Sequence, residues 1–224
     1  MGDIYRVGFT GMRAIKDMSD EQQNLIKEEI QTYLLALAKD ANLINEDDIM
    51  QVYVGGAIGF DQLAFDAAYE LKEYIDFTLE LIIAIPFIGY NNNWINGYSK
   101  YKDIYDRQLS LCKDLVVVDE LMNKTDISLK AKYQLRNEFI VNNCDTLIAM
   151  YSKKYLGKKK TSGTLNCIKY AKSINKEIIY VSDEYELPNS KSNEKFKLIV
   201  KYKDDYKEYN SNSDDIELND RTLV

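Results

Sequence analysis

The sequence predicts a three-layer α/β/α domain built on a mostly parallel sheet of about six strands. Short β-branched or aromatic runs alternate with longer amphipathic stretches, the pattern of repeated βαβ units. Most of the short runs are apolar throughout, as in strands covered on both faces. At 224 residues the chain accommodates one such domain with a substantial core, whereas two would be cramped.

The strands are expected at residues 4–9, 51–54, 79–85, 115–118, 146–151 and 177–181. After the first of them, Ser19 and Gln22 form a capping box. Leu25, Ile26, Ile30, Tyr33, Leu34 and Leu37 then repeat at helical spacing. Further helices are expected over 61–74, 98–112, 129–143 and 164–174. The stretch Gly89-Tyr90-Asn91-Asn92-Asn93-Trp94 is rich in turn formers and reads as a surface loop. A Rossmann-like domain is thus expected over residues 1–188. In the remainder, 189–224, residues 195–202 fit an added edge strand, since lysines alternate there with Phe196, Leu198 and Val200. The last 16 residues hold Asp214, Asp215, Glu217 and Asp220 against Arg221 and read as a disordered acidic tail.

Composition narrows the chemistry. The chain has no histidine, which excludes an imidazole base or a His-bound metal and leaves proton transfer to Asp, Glu, Lys, Tyr or Cys. Cys112, Cys144 and Cys167 are far apart and lack metal-ligand spacing, so they read as buried free thiols. Neither a metal nor a resident cofactor is expected. A net charge of −7 disfavours a general nucleic-acid binder, because phosphate backbones are held by clustered Lys and Arg. No run of about 18 apolar residues suggests a membrane span. The first residues carry Asp3, Arg6 and Arg13 without a hydrophobic block, and a cytoplasmic location is expected.

The strongest motif is Val52-Tyr53-Val54-Gly55-Gly56-Ala57-Ile58-Gly59-Phe60-Asp61, a strand that ends in a glycine pair and leads directly into a helix. Glycines allow close approach of a ligand to the backbone, and the first helical N–H groups favour an anion. Taken alone the motif also fits a tight turn that binds nothing. It is neither a Walker A loop nor a Gly-x-Gly-x-x-Gly dinucleotide fingerprint.

Two further loops share its character. Gly8-Phe9-Thr10-Gly11-Met12-Arg13 offers flexible backbone, a hydroxyl and a guanidinium. After Tyr151, the lysines 153, 154, 158, 159 and 160 precede Thr161-Ser162-Gly163-Thr164 at a helix start, a combination suited to drawing in an anion. All three loops follow the carboxyl ends of parallel strands, the edge at which open α/β sheets bind ligands. Arg136, followed by Asn137, either faces this crevice as a phosphate clamp or forms a surface salt bridge. Trp94 and the tyrosines after it fit a base-stacking wall, an oligomer surface or a lid.

These elements resemble the SLOG superfamily, which includes the DNA-processing A proteins and the Lonely Guy phosphoribohydrolases, and most closely its YpsA-like branch. The resemblance rests on Gly8-x-Thr10-Gly11, Gly55-Gly56-Ala57-Ile58-Gly59-Phe60-Asp61-x-x-Ala64, Pro86-Phe87 with Asn93-Trp94, Arg136-Asn137, the strand 144–151 and Ser162-Gly163-Thr164, in family order. It implies a nucleotide or nucleotide-sugar pocket formed by Gly8, Thr10, Gly11, Arg13, Gly55, Gly56, Ala57, Gly59, Asp61, Arg136, Asn137, Ser162, Gly163 and Thr164. Members range from hydrolases of nucleoside monophosphates to sensor domains for nucleotide-derived signals, and a homodimer or higher oligomer is a further expectation from the resemblance.

One departure bears on activity. The Lonely Guy motif Pro-Gly-Gly-x-Gly-Thr-x-x-Glu ends in a glutamate, and here Cys167 stands at that place. An oxocarbenium-like transition state needs a carboxylate nearby, which makes Asp61 the candidate catalytic residue, with Asp66 and Glu70 further along. Asp61 also fits a helix cap or a partner for a ribose hydroxyl. The expected role is therefore binding of a nucleotide or nucleotide-derived molecule, for sensing, sequestration or regulation. The alternatives are hydrolysis of an N-glycosidic bond in a nucleoside 5′-monophosphate or ADP-ribose-type molecule and, third, binding of single-stranded DNA.

Overall fold

The computed structural model of the chain describes residues 2–95, 98–151 and 162–181. Six strands form one sheet: β1 (Ile4–Gly11), β2 (Ile49–Val54), β3 (Thr78–Ile85), β4 (Asp114–Val117), β5 (Thr146–Met150) and β6 (Glu177–Tyr180). Their order is β4-β3-β2-β1-β5-β6, and every pairing is parallel. The helices are α1 (Asp20–Asp40), α2 (Phe60–Leu71), α3 (Ser99–Leu111), α4 (Val118–Leu121), α5 (Leu129–Asn142) and α6 (Gly163–Ser173). The chain is a Rossmann-like three-layer α/β/α domain. The segments expected to carry the late lysines, the added edge strand and the acidic tail lie outside the described residues.

Strand alternation divides the core. Val7, Phe9, Val52, Val54, Leu81, Ile83 and Met150 pack with Ile26, Ile30 and Leu34 of α1 and Phe60 and Phe65 of α2. Intervening residues face the opposite way: Tyr53, Ile82 and Ala84 meet Ile140 of α5, while Leu147 meets Cys167 and Ala171 of α6. Burial of each large apolar side chain stabilises the fold by roughly 1.5–3 kcal/mol.

Local signals set the helix starts. The Ser19 hydroxyl accepts from the Gln22 N–H while the Gln22 side chain accepts from the Ser19 N–H, completing the expected capping box. Ser128 and Ser162 cap α5 and α6 by accepting from Ala131 and Leu165.

The chain doubles back at β1. From this central strand the order runs outward through β2, β3 and β4 on one side and through β5 and β6 on the other. The chain therefore changes face between β4 and β5. The carboxyl ends of β1 and β5, where Gly11 pairs with Met150, lie at the resulting topological switch point.

One local expectation is corrected. The stretch 89–94 is not simply a surface loop, because Tyr90 and Trp94 are both 7% exposed. A 3-10 turn at Asn92–Ile95 presents Trp94 inward, edge-on to Tyr90 at 5.5 Å and against Tyr105 at 5.6 Å. Asn92 and Asn93 occupy the outer side of the turn. Trp94 is a core residue packed against Tyr90 and Tyr105.

Candidate functional site

The loop from β2 to α2 sits at the carboxyl edge beside the switch point and is shaped by the groups that close over it. Gly59 ends the loop at a φ of 99° as the N-terminal cap of α2, in the region that favours glycine. A Cβ there would come within 2.8 Å of the Arg13 Cα and the Met12 carbonyl oxygen. The Gly56 carbonyl accepts a hydrogen bond of 2.6 Å from the Tyr90 hydroxyl. Arg13 itself is exposed at the start of a 3-10 turn, Arg13–Asp17, that follows β1.

Arg136 and Asp61 meet above Gly55. A side chain on Gly55 would collide with the guanidinium, for its Cβ would lie 1.2 Å from Arg136 Nη1 and 2.5 Å from Asp61 Oδ2. Nη1 pairs with Asp61 Oδ2 at 3.3 Å, and the same oxygen accepts the Ala57 N–H at 3.3 Å. Both side chains are at least nine-tenths buried, and among the described residues Arg136 Nε has no hydrogen-bond partner. Arg136 is thus an internal residue rather than part of a surface salt bridge. Burial raises the Asp61 carboxyl above its ordinary range, against the downward pull of Arg136, the Ala57 N–H and the charge of Arg13.

The start of α6 is tied to β1 and α5. Thr164 Oγ1 donates to the Gly11 carbonyl at 2.7 Å, and Asn137 Nδ2 approaches the Gly163 carbonyl at 3.4 Å. Gly163 is exposed, and among the described residues nothing lies within 4 Å of where a Cβ would stand. The Thr10 side chain, at the end of β1, opposes in part the upward effect of burial on the Cys167 thiol. Gly8 lies deeper in the strand, where its missing side chain leaves room for Cys144 and Ile140.

The carboxylates divide by location. Asp66 forms a bidentate pair with Arg107 of α3 at 2.6 and 2.7 Å, and Glu70 pairs with Lys27 of α1 at 2.7 Å. Both belong to helix-to-helix contacts, whereas Asp61 lies at the glycine loop. Cys167 is 1% exposed, and burial pushes its thiol up to about 11. It cannot take over the work of a carboxylate at neutral pH.

A cavity of about 600 Å³ opens between α5 and α6, lined in part by Lys130, Tyr133, Gln134, Asn137, Ser162 and Gly163. The candidates Asn137, Ser162 and Gly163 therefore share a wall with residues that sequence reasoning missed. Tyr133 was detectable one helical turn before Arg136, on an adjoining face. Its ring lies 5.8 Å from that of Phe87 at 80°, and Phe87 stands edge-on to Tyr90 at 6.4 Å. Among the described residues no group of three or more Cys, Asp or Glu side chains could hold a metal ion, and no helix is long and apolar enough to cross a membrane.

Comparison with known proteins adds a family match. The model of the YspA SLOG family matches residues 8–185. An uncharacterized SPbeta prophage-derived protein YoqJ of Bacillus subtilis (strain 168) is 32% identical over 146 residues, covering 62% of this chain and 78% of its own length. A UPF0398 protein of Bacillus cereus (strain G9842) is 25% identical over 126 residues, 56% of this chain and 64% of the relative. Another, from strain B4264, is 26% identical over 116 residues, 51% of this chain and 58% of the relative. The matches thus span less than two thirds of these UPF0398 proteins.

Proposed function

Because the chain belongs to the YspA SLOG family, we propose that it binds a nucleotide or nucleotide-derived molecule at the carboxyl edge of the sheet, for sensing, sequestration or regulation. The observation that carries this reading is the buried Arg136 guanidinium. It closes over Gly55, pairs with Asp61 and has an Nε that finds no partner among the described residues. A buried donor without a partner is costly, and an anionic ligand is one group that would satisfy it. The N-terminus of α6, with Ser162 half-buried and Gly163 exposed, supplies further N–H groups on the same edge.

Retention of the ligand is favoured over its hydrolysis. Asp61 is already engaged by Arg136 and Ala57, and Cys167 replaces the glutamate of the Lonely Guy motif with a buried, protonated thiol. The test is incubation of the purified protein with AMP, NAD, ADP-ribose and cyclic nucleotides, followed by mass spectrometry of bound and free species. Unchanged ligand recovered from the protein is expected. Release of free base or ribose phosphate would overturn pure binding in favour of an N-glycoside hydrolase with Asp61 at its centre. A protein that retains none of the compounds would refute the nucleotide reading itself.

A further inference from the structure

Resting on the nucleotide reading, we propose that Tyr133 is the platform on which the ligand's base stacks, and that the α5–α6 cavity holds the base at Tyr133 and the phosphate at the start of α6. The cavity, about 600 Å³, falls within the range of small-molecule sites. Its walls differ in chemistry. One carries the capped N-terminus of α6, where Ser162 holds the Leu165 N–H and Gly163 is exposed. The other carries the half-buried Tyr133 ring. An elongated ligand with an anion at one end and a flat π system at the other matches both.

The ring is held in place. Phe87 braces it edge-on, Tyr90 braces Phe87, and the Tyr90 hydroxyl is fixed to the Gly56 carbonyl at 2.6 Å. This row of contacts joins Tyr133 to the glycine loop over which Arg136 closes. An aromatic residue with two χ angles, already packed on one flank, loses little freedom when a base stacks on it. The amide residues Gln134, Asn137 and Asn166 also line the cavity; Gln134 donates to Glu138 and Asn137 to the Gly163 carbonyl, and a carboxamide has further donor and acceptor capacity for the rim of a base. The exposed Lys130 on the same wall adds positive charge suited to a phosphorylated ligand.

Calorimetric titration of the full chain with AMP, GMP, CMP, UMP and ribose 5-phosphate tests the assignment. Wild-type protein is expected to bind at least one nucleotide more tightly than ribose 5-phosphate. Tyr133→Ala should lower that preference about tenfold, in line with base-on-aromatic stacking, while leaving ribose 5-phosphate affinity unchanged. Tyr133→Phe should retain the preference, and Tyr133→Leu, which keeps apolar bulk, should lose it. If Tyr133→Ala and Tyr133→Leu keep the wild-type ratio, or lose both ligands equally, the platform is refuted while nucleotide binding stands. If wild-type protein binds none of the four nucleotides, the nucleotide reading fails and the platform with it.

Discussion

Arg136 and Gly55 are complementary across the sheet edge: the guanidinium fills the volume that any side chain at position 55 would need, with Nη1 1.2 Å from the would-be Cβ. Gly55→Ala should therefore displace Arg136 from Asp61. The expected loss is about 1–3 kcal/mol, the usual range for overpacking, read from urea denaturation. Affinity for nucleotides should fall with it.

Removing the guanidinium has a different consequence. Arg136→Ala leaves Asp61 buried without its counter-charge, which should destabilise the fold by about 3–5 kcal/mol. Adding Asp61→Asn to Arg136→Ala should recover part of that loss, because the uncompensated charge is gone. A double-mutant cycle by chemical denaturation checks this, and strictly additive effects would show that the two groups do not interact.

Asp61 also sets a pH dependence of unusual sign for a carboxylate. Its folded pKa is raised, mainly by burial, so in the window between its unfolded and folded values the native state holds a proton that the unfolded chain has released. Its contribution to stability is full below the unfolded pKa and is lost as pH rises through the folded pKa. Wild-type protein should consequently gain stability relative to Asp61→Asn as pH falls from 7 toward 4. A difference between the two that stays constant, or moves the other way, contradicts the assignment.

The thiols should react in an order set by access and ionisation. Cys112 is half-buried, whereas Cys144 and Cys167 are buried and pushed up to about 12 and about 11 by burial. Native protein treated with a maleimide at pH 7.5 should be modified first at Cys112, with the other two reacting at least tenfold more slowly. Peptide mapping by mass spectrometry reads the order directly. Above pH 9 the unfolded chain releases thiol protons that the native state keeps, so stability from these two groups declines with rising pH.

Tyr90→Phe removes the hydroxyl that reaches the Gly56 carbonyl at 2.6 Å. The expected cost is about 1 kcal/mol in thermal or chemical unfolding. If Tyr133 depends on this row of rings, nucleotide affinity should fall further than ribose 5-phosphate affinity.

Much of the architecture is legible in the sequence because most strands are largely apolar runs bounded by turn formers, and the starts of α1 and α6 carry their own capping signals. The β1 strand extends two residues further than its apolar run, since Thr10 and Gly11 pair with Ala149 and Met150. The four-residue α4 escapes notice because Val118 passes from strand to helix without an intervening breaker. Trp94 misleads because its asparagine neighbours are polar while the turn aims the indole inward.

The candidate site was legible as a set of loops but not as contacts. Nothing local to Gly55 tells that Arg136 will fill its missing side-chain volume. That contact exists because the chain crosses to the other face of the sheet after β4 and places α5 over the β2 loop. Asp61 likewise reads as a free acid or a cap until its burial with Arg136 is seen.

The strand order has a consequence for how the chain is made. The central strand β1 finds β2 early, but its other neighbour is β5, so that Val7 waits for Thr146. During synthesis from the amino terminus, one edge of β1 stays unpaired until most of the described chain has emerged. Pairings so distant in sequence slow folding, and an open strand edge is a template for association with other chains. The crevice beside β1 and β5 therefore forms only once β5 has emerged, late in the synthesis of the described chain.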